Sequence, residues 1–308
     1  MTDHDAQPSL VLGPTRYGKA EVRLVHVAKN GPEHAIKDLT VSVALSGDQA
    51  ETHLTGDNHK VLTTDAQKNA VYALAKVHGV GALEDFALLL ADHFLSTCPY
   101  ISHARIAADE HAWDRIPGTE SRHSFVRGGR ETRTALVHAD ADGARRVVSG
   151  LKDLVLLNST GSEFHGFFKD AYTTLPETHD RVLATAVDAR WRHLGGGASA
   201  AVDGQRRERD WDKSYTEARS SLLTAFADTH SLSLQQTLHA MGRRLLLRDA
   251  SVAEVRLALP NRHHFAVDLI PFGLMNDNEV FYAADRPYGL IEGTVARADA
   301  PPDPAAWE

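Results

Sequence analysis

One cysteine, Cys98, stands in 308 residues. It excludes an intramolecular disulfide and every Cys-x-x-Cys redox or metal motif. No apolar run reaches the roughly 18 residues that a membrane-spanning helix needs, and none is expected here. The N-terminus is polar, without a basic-then-apolar signal pattern, and the Pro-rich end Ala300-Pro-Pro-Asp-Pro-Ala-Ala-Trp-Glu308 carries no Ser-Lys-Leu address. These features predict a reducing, cytoplasmic setting. Positive charge is also in deficit. Lys and Arg number 33 against 41 Asp and Glu, the formal net charge is −8, and the basic residues form no long run. Nucleic acid is therefore not expected as a partner. A small anion held by one or two local arginines is still allowed.

The catalytic signatures missing from the chain are as informative. There are 18 histidines, yet none forms His-x-x-x-His, His-Glu-x-x-His or a Cys/His ligand spacing. They read as scattered surface groups, and no metal is expected. No Gly-x-Ser-x-Gly elbow occurs. Gly13-Pro-Thr-Arg-Tyr-Gly-Lys19 fills seven places of a phosphate loop, but the eighth is Ala20 rather than Ser or Thr. The residues after Ala20 have the pattern of a strand, where the motif requires a helix N-terminus. Gly79-Val-Gly81 lacks the third glycine of a dinucleotide fingerprint.

What is present is a repeated order of elements. The length is about twice that of a typical domain, so two domains are expected. Strand patterns run near Lys19–Val27 and Ile36–Ser46. A helix follows, with Thr64 read as N-cap of the box Thr64-Asp-Ala-Gln67 and Gly79 as its stop. A second helix spans about Leu83–Leu95, and extended segments lie near Ile101–Trp113 and His123–His138. After Asp140-Ala-Asp-Gly143 the order recurs. Extended segments lie near Arg146–Asn158 and Arg181–His193, and helices near Asp210–Thr229 and from Ser233 to about Leu247. Strands are then expected on either side of Pro260, followed by a hairpin joining Glu279–Ala283 to Gly289–Arg297. Strands, then helices, then strands, twice over, predict an α+β class. Each ββ-αα-ββ unit is expected to form an antiparallel sheet with helices on one face, as residues 1–142 and 143–308.

Several polar residues sit where this pattern expects apolar ones. Arg181 shares the parity of Leu183, Val187 and Trp191 and needs an acceptor or anionic partner if it points inward. Asn261 and His263 share the parity of Phe265, Val267 and Leu269 beside Pro260. Gln235 falls in a first helical turn, beside unpaired backbone N–H groups. Thr64 and Asp65 occupy the matching place on the earlier helix. Lys19 begins the first strand, and Phe164 follows a strand as core or stacking platform. Taken singly, each fits an ordinary structural role.

Together the segments resemble the urate oxidase (uricase) family. The resemblance is carried by Arg16-Tyr-Gly-Lys19, Thr64-Asp65 with Lys68-Asn69, Asn158-Ser-Thr-Gly-Ser-Glu-Phe-His-Gly-Phe-Phe-Lys-Asp170 and Tyr172-Thr-Thr-Leu175. Asp180-Arg-Val-Leu183, Leu234-Gln235 and Leu259-Pro-Asn-Arg-His263 complete it. It implies two tunnelling-fold (T-fold) domains per chain and a homotetramer whose active sites are shared between subunits. It also implies oxidation of urate by O2 and water to 5-hydroxyisourate and hydrogen peroxide, without a cofactor. The implied roles are a proton relay of Lys19, Thr64 and His263 and a purine clamp of Arg181, Gln235 and the Leu234 backbone. Phe164 would stack on the ring, Thr64 and Asp65 of a neighbouring subunit would close the other edge, and Asn261 would hold O2. Two other readings are a zinc-dependent purine or pterin hydrolase on the same fold, and a purine-binding sensor without turnover. Lys19 and His263 separate the last, because binding alone needs neither.

Overall fold

Alternation of apolar side chains builds the sheet. In strand β2 (Ala35–Gly47) Leu39, Val41, Val43 and Leu45 lie on one side and are buried. That side faces the helices α2 (Thr64–His78) and α3 (Leu83–Thr97), which contribute Val71, Phe86, Leu90 and Phe94. The computed structural model describes residues 10–29, 31–129, 131–197, 209–284 and 286–308. The polar N-terminal stretch, Asn30 of the first turn and most of the polar loop after Gly197 lie outside them.

The first unit adds β1 (Tyr17–Ala28), a short helix α1 (Ala50–Leu54) that the sequence pattern did not reveal, β3 (Ile101–His111) and β6 (Thr132–Asp140). A small arm, β4 (Trp113–Arg115) paired with β5 (Phe125–Arg127), is inserted between its last two strands. The second unit repeats the plan. It contains β7 (Arg145–Asn158), β8 (Leu183–His193), α4 (Trp211–Asp228), α5 (Leu234–Arg248), β9 (Val252–Asn261) and β12 (Gly289–Ala296). Its arm pairs β10 (His264–Ala266) with β11 (Phe281–Ala283). The expected hairpin between 279–283 and 289–297 is therefore not formed. Those two strands pair with β10 and β9 instead, the β9–β12 ladder running from Asn261 opposite Gly289 to Glu254 opposite Ala296.

All eight long strands join one antiparallel sheet in the order β1-β2-β3-β6-β7-β8-β9-β12. The duplication extends to its irregularities. A bulge in β1 places Glu21 at φ +56°, and its backbone N–H donates to Ser42 Oγ on β2. The matching bulge in β7 places Asp153 at φ +62°, and its N–H donates to Asp188 Oδ1 on β8. The helices cover one face. On the other, the C-terminal turn packs Trp307 against Leu136 and Val148, with the Arg256 guanidinium 4.0 Å from its ring centroid. Among the described residues no helix is long and apolar enough to cross a membrane.

A buried polar chain crosses the seam between the units. Arg209 donates to His193 Nδ1, so the ring is neutral and its Nε2–H can donate to Ser149 Oγ at 3.0 Å. Ser149 donates to Glu84 Oε1 at 2.6 Å, and Arg133 donates to Glu84 Oε2 at 2.7 Å and to Asp212. Glu84 is fully buried. Burial pushes its carboxyl up, and the Arg133 charge opposes that. Trp211 Nε1 donates to Asp85 Oδ1 at 2.7 Å beside it.

Removing one member of such a pair strands the other. Glu84→Gln should lower unfolding stability by about 3 kcal/mol, read as the urea midpoint; an unchanged midpoint refutes the seam's role. Acid should act on two other groups. Burial, then the charges of His103, Arg105 and Arg146, lower His138 to about 4, and burial, then Arg209, lowers His193 to about 3. Both stay neutral in the fold but protonate near pH 6.5 once unfolded, as a free histidine does. Their contribution is complete above about pH 6.5 and is lost as pH falls from there towards the folded values. Urea midpoints should fall between pH 6.5 and 5, and less steeply in His138→Gln. Equal slopes in the two proteins refute this.

Candidate active site

The first group of predicted residues gathers where β1 meets α2. Tyr17 of β1 is the anchor. Its hydroxyl donates to Leu62 O and accepts from Leu62 N–H, each at 3.1 Å, and accepts from Gln49 Nε2. This fixes the start of α2 against the strand. The bulge between Lys19 and Val22 then matters. It shifts the alternation by one, so Tyr17 and Lys19 share the helix-facing side with Val22 and Leu24. Without it Lys19 would point to the opposite face. Gly18 lies so close to β2 that a Cβ there would stand 1.9 Å from Val43 O. Only glycine fits between them.

The helix start differs from the sequence reading. Thr63, not Thr64, is the N-cap, its side chain accepting from Ala66 N–H at 3.1 Å. Thr64 is the first helical residue, half-buried with its hydroxyl free of the capping role. Asp65 is exposed and bonded to Lys68 Nζ at 2.5 Å and Asn69 Nδ2 at 3.0 Å. The hydrogen bond from Lys68 is the main cause holding its carboxyl down, with a further contribution from the Lys19 charge.

The second group lies at the junction of β7, β8 and α5. Arg181 stands just ahead of β8, which begins at Leu183, so it is not on the strand as expected. Ser162 holds it twice, by Ser162 O from the Arg181 backbone N–H at 3.0 Å and by Ser162 Oγ from Nε at 3.1 Å. The guanidinium lies over the Phe164 ring, 5.1 Å from its centroid. Phe164 is fixed by an antiparallel bridge to Thr178 and by stacking on Phe167 at 4.9 Å. Ser162 also bridges to Ser231, which brings in the start of α5. There Ser233 is the N-cap, as expected, with Oγ accepting from Gln236 N–H. Leu234 and Gln235 are the first two helical residues, whose N–H groups have no intrahelical acceptor. Among the described residues Arg181 forms no ion pair, and burial alone pushes its guanidinium down.

The Pro260 region also differs from the sequence reading. β9 runs through Pro260 and ends at Asn261, and its pairing with β8 is interrupted between Ala258 and Asn261. Asn261 lies between Thr185 of β8 and Gly289 of β12. His263 lies outside both strands and stacks on Phe265 at 5.7 Å. The side expected to be covered is open here. Asn261 and His263 are only half-buried, and Phe265 is 49% exposed, because β10 belongs to the projecting arm. Asn261 and Arg181 share the β8 end of the sheet.

The fold thus gathers the predicted residues into two candidate half-sites, not one. Lys19, Thr64 and Asp65 lie at the β1 edge, and Phe164, Arg181, Leu234, Gln235, Asn261 and His263 lie at the β8–β9 end. Five strand-to-strand steps separate β1 from β8, about 24 Å across the sheet at the usual spacing. Tyr17 and Ser162, which set the two half-sites, were missed as positioning residues. The signal available for Tyr17 was its shared parity with Lys19.

Comparison with known proteins gives this arrangement a family. The family model described as Uricase matches residues 15–138 and 147–292. Uricase of Arthrobacter globiformis is 47% identical over 298 residues, covering 97% of this chain and 94% of that protein. Uricase of Dictyostelium discoideum is 38% identical, covering 92% and 96%. The crystal structure of uricase from Arthrobacter globiformis superimposes with a TM-score of 0.89 over 97% of this chain and 99% of that one. In sequence along nearly its whole length and in its paired T-fold units, the chain belongs to the uricase family of urate oxidases.

Proposed function

We infer that the chain oxidises urate with O2 and water to 5-hydroxyisourate and hydrogen peroxide, without a cofactor, at a site completed by two copies of the chain. The observation carrying this reading is Arg181. It is a half-buried guanidinium without a carboxylate partner among the described residues, held by Ser162 and lying over Phe164. A planar anion supplies what that cation lacks. The guanidinium fork suits a carbonyl and an anionic ring nitrogen, and Gln235 and the Leu234 N–H add donors at the positive end of α5. Phe164 takes the ring face.

The second copy is inferred from the half-sites and the edges. Among the described residues both outer strands, β1 of 12 residues and β12 of 8, have a strand partner on one side only. Such edges pair with another chain unless they are covered. The arm starting at His264 exposes Phe272 at 73% and Met275 at 78%, an apolar surface suited to burial against a further copy. Head-to-tail pairing of β1 with β12 joins neighbouring copies within a homotetramer stacked into a tunnel, and brings Lys19, Thr64 and Asp65 of one subunit to the Arg181 half-site of the next. We divide each chain at 142/143, in the turn between β6 and β7, and place the protein in the cytoplasm.

The chemistry depends on the groups so joined. The urate monoanion loses a second proton to Lys19, relayed through the Thr64 hydroxyl to His263. The dianion is electron-rich enough to pass two electrons to O2 held by Asn261. Water then adds to the oxidised ring, giving 5-hydroxyisourate, and the protons released accompany peroxide as H2O2. An amine, a hydroxyl, an imidazole and an amide suffice for these transfers.

Urate-dependent O2 uptake with peroxide formation should be measurable and persist after exhaustive chelation. Lys19→Met should reduce it by about 10²-fold or more while a urate analogue still binds; full turnover in that variant sinks the relay. Arg181→Ala should weaken binding of urate. Co-assembling Lys19→Met and Arg181→Ala subunits should restore activity that neither has alone, because some sites then combine two intact halves. Absence of any recovery in verified mixed tetramers would refute the shared site.

A further inference from the structure

Three histidines surround one carboxylate on the back of the segment that carries Phe164. Glu163 Oε2 lies 3.0 Å from His165 Nε2 and 3.4 Å from His179 Nδ1, and Glu163 Oε1 lies 2.6 Å from His230 Nε2. The ligand atoms of Glu163, His165 and His179 all fall within 4.8 Å of one another. Four groups at positions 163, 165, 179 and 230 meet because the backbone brings them together. The Phe164–Thr178 bridge sets His165 beside His179, their rings 4.4 Å apart, and the Ser162–Ser231 bridge sets His230 beside Glu163. Glu163 N–H donates to Ser231 O at 2.7 Å, which fixes the second junction.

We propose that Glu163, His165 and His179 bind one divalent transition-metal ion of the zinc class, with His230 as the outer partner of the carboxylate. Two imidazole nitrogens and a carboxylate oxygen suit zinc, nickel or cobalt better than magnesium or calcium, which take oxygen. Bonds of roughly 2.0–2.1 Å in a tetrahedron put ligand atoms about 3.4 Å apart, close to the 3.0 and 3.4 Å already present between Glu163 Oε2 and the two imidazoles. Glu163 is half-buried and the imidazoles are more open, His179 at 74% and His230 at 59%, so a hydrated ion can enter and keep water in its remaining place. On binding, His165 and His179 give up the N–H directed at Glu163 and coordinate through that nitrogen as neutral rings. The His230 bond to Oε1 orients the carboxylate from behind.

Residues 163, 164 and 165 alternate along an extended segment, so the ion stands on the side away from the Phe164 ring. It takes no part in the oxidation. Its effect is to cross-link the loop between β7 and β8, fixing the outgoing stretch, which carries Phe164, to the returning one just before Arg181. No helical ligand spacing marks the site in the sequence, because its ligands come from the outgoing and returning stretches of one long loop, with the outer partner on the α4–α5 corner.

The test uses the full assembled protein stripped with chelator and titrated with Zn2+ by equilibrium dialysis. One Zn2+ per chain is expected, with affinity at least tenfold weaker in His165→Ala and in His179→Ala, and about tenfold weaker in His230→Ala. Control His53→Ala should bind as the parent does. Zn2+ should also slow backbone amide exchange across residues 159–182 in the parent and not in the His165→Ala/His179→Ala double variant. Absence of stoichiometric binding, or binding and protection unchanged in the double variant, overturns the site. Both readouts need no urate, so they stand or fall apart from the oxidase reading.

Discussion

The contact on which the architecture turns is the buried pair of Glu84 and Arg133. A carboxylate on α3 and a guanidinium on β6 belong to the first unit, yet each is completed from the second, through Ser149 of β7 and Asp212 of α4. A fully buried carboxylate is tolerated only when its lone pairs are occupied. Here that condition needs both units in one relative placement. The two ββ-αα-ββ units are therefore locked into a continuous sheet rather than strung as two bodies on a linker. The distance from β1 to β8 is set by that lock, and with it the separation of the two half-sites.

Within each half-site, small backbone irregularities do the aiming. A one-residue bulge returns Lys19 to the helix side of β1, while Tyr17 pins the start of α2 to that strand. In the second unit a buried serine, Ser162, takes the part of Tyr17, holding the head of β8 with its own oxygens and the start of α5 through Ser231. The duplicated bulges at Glu21 and Asp153 show one plan used twice. The two copies now carry different chemistry. The first presents an amine and a hydroxyl, the second a guanidinium, an aromatic ring and helix N–H groups.

Much of this was legible in the chain because it is local. Strand alternation in β2, the Ser233 cap, the apolar stripe of α3 and the repeated order of elements depend on residues a few places apart. The family resemblance then attached roles to Lys19, Thr64, Phe164, Arg181 and Asn261. The errors also have a local cause. A capping box read at Thr64 slipped by one because Gln67 favours Thr64 in sequence, whereas in the fold Gln67 Nε2 donates to Leu62 O and Thr63 accepts from Ala66 N–H. Arg181 was assigned to a strand because parity continues past the point where pairing begins.

By itself the sequence determined the class and order of the main elements, the duplication and the chemical types available for the site. The tertiary structure decided which strands pair, so that β12 lies against β9 and the arm projects; it also decided which face Lys19 takes and which half-site each residue joins. It alone gathered Glu163, His165, His179 and His230, whose separations along the chain carry no ligand pattern. The physical reason is the range of the forces involved. Alternation, capping and turn preference act over one or two turns of chain. Register, bulge phase and the convergence of loop residues are settled by burying distant surfaces against each other, and only the folded sheet fixes which surfaces those are.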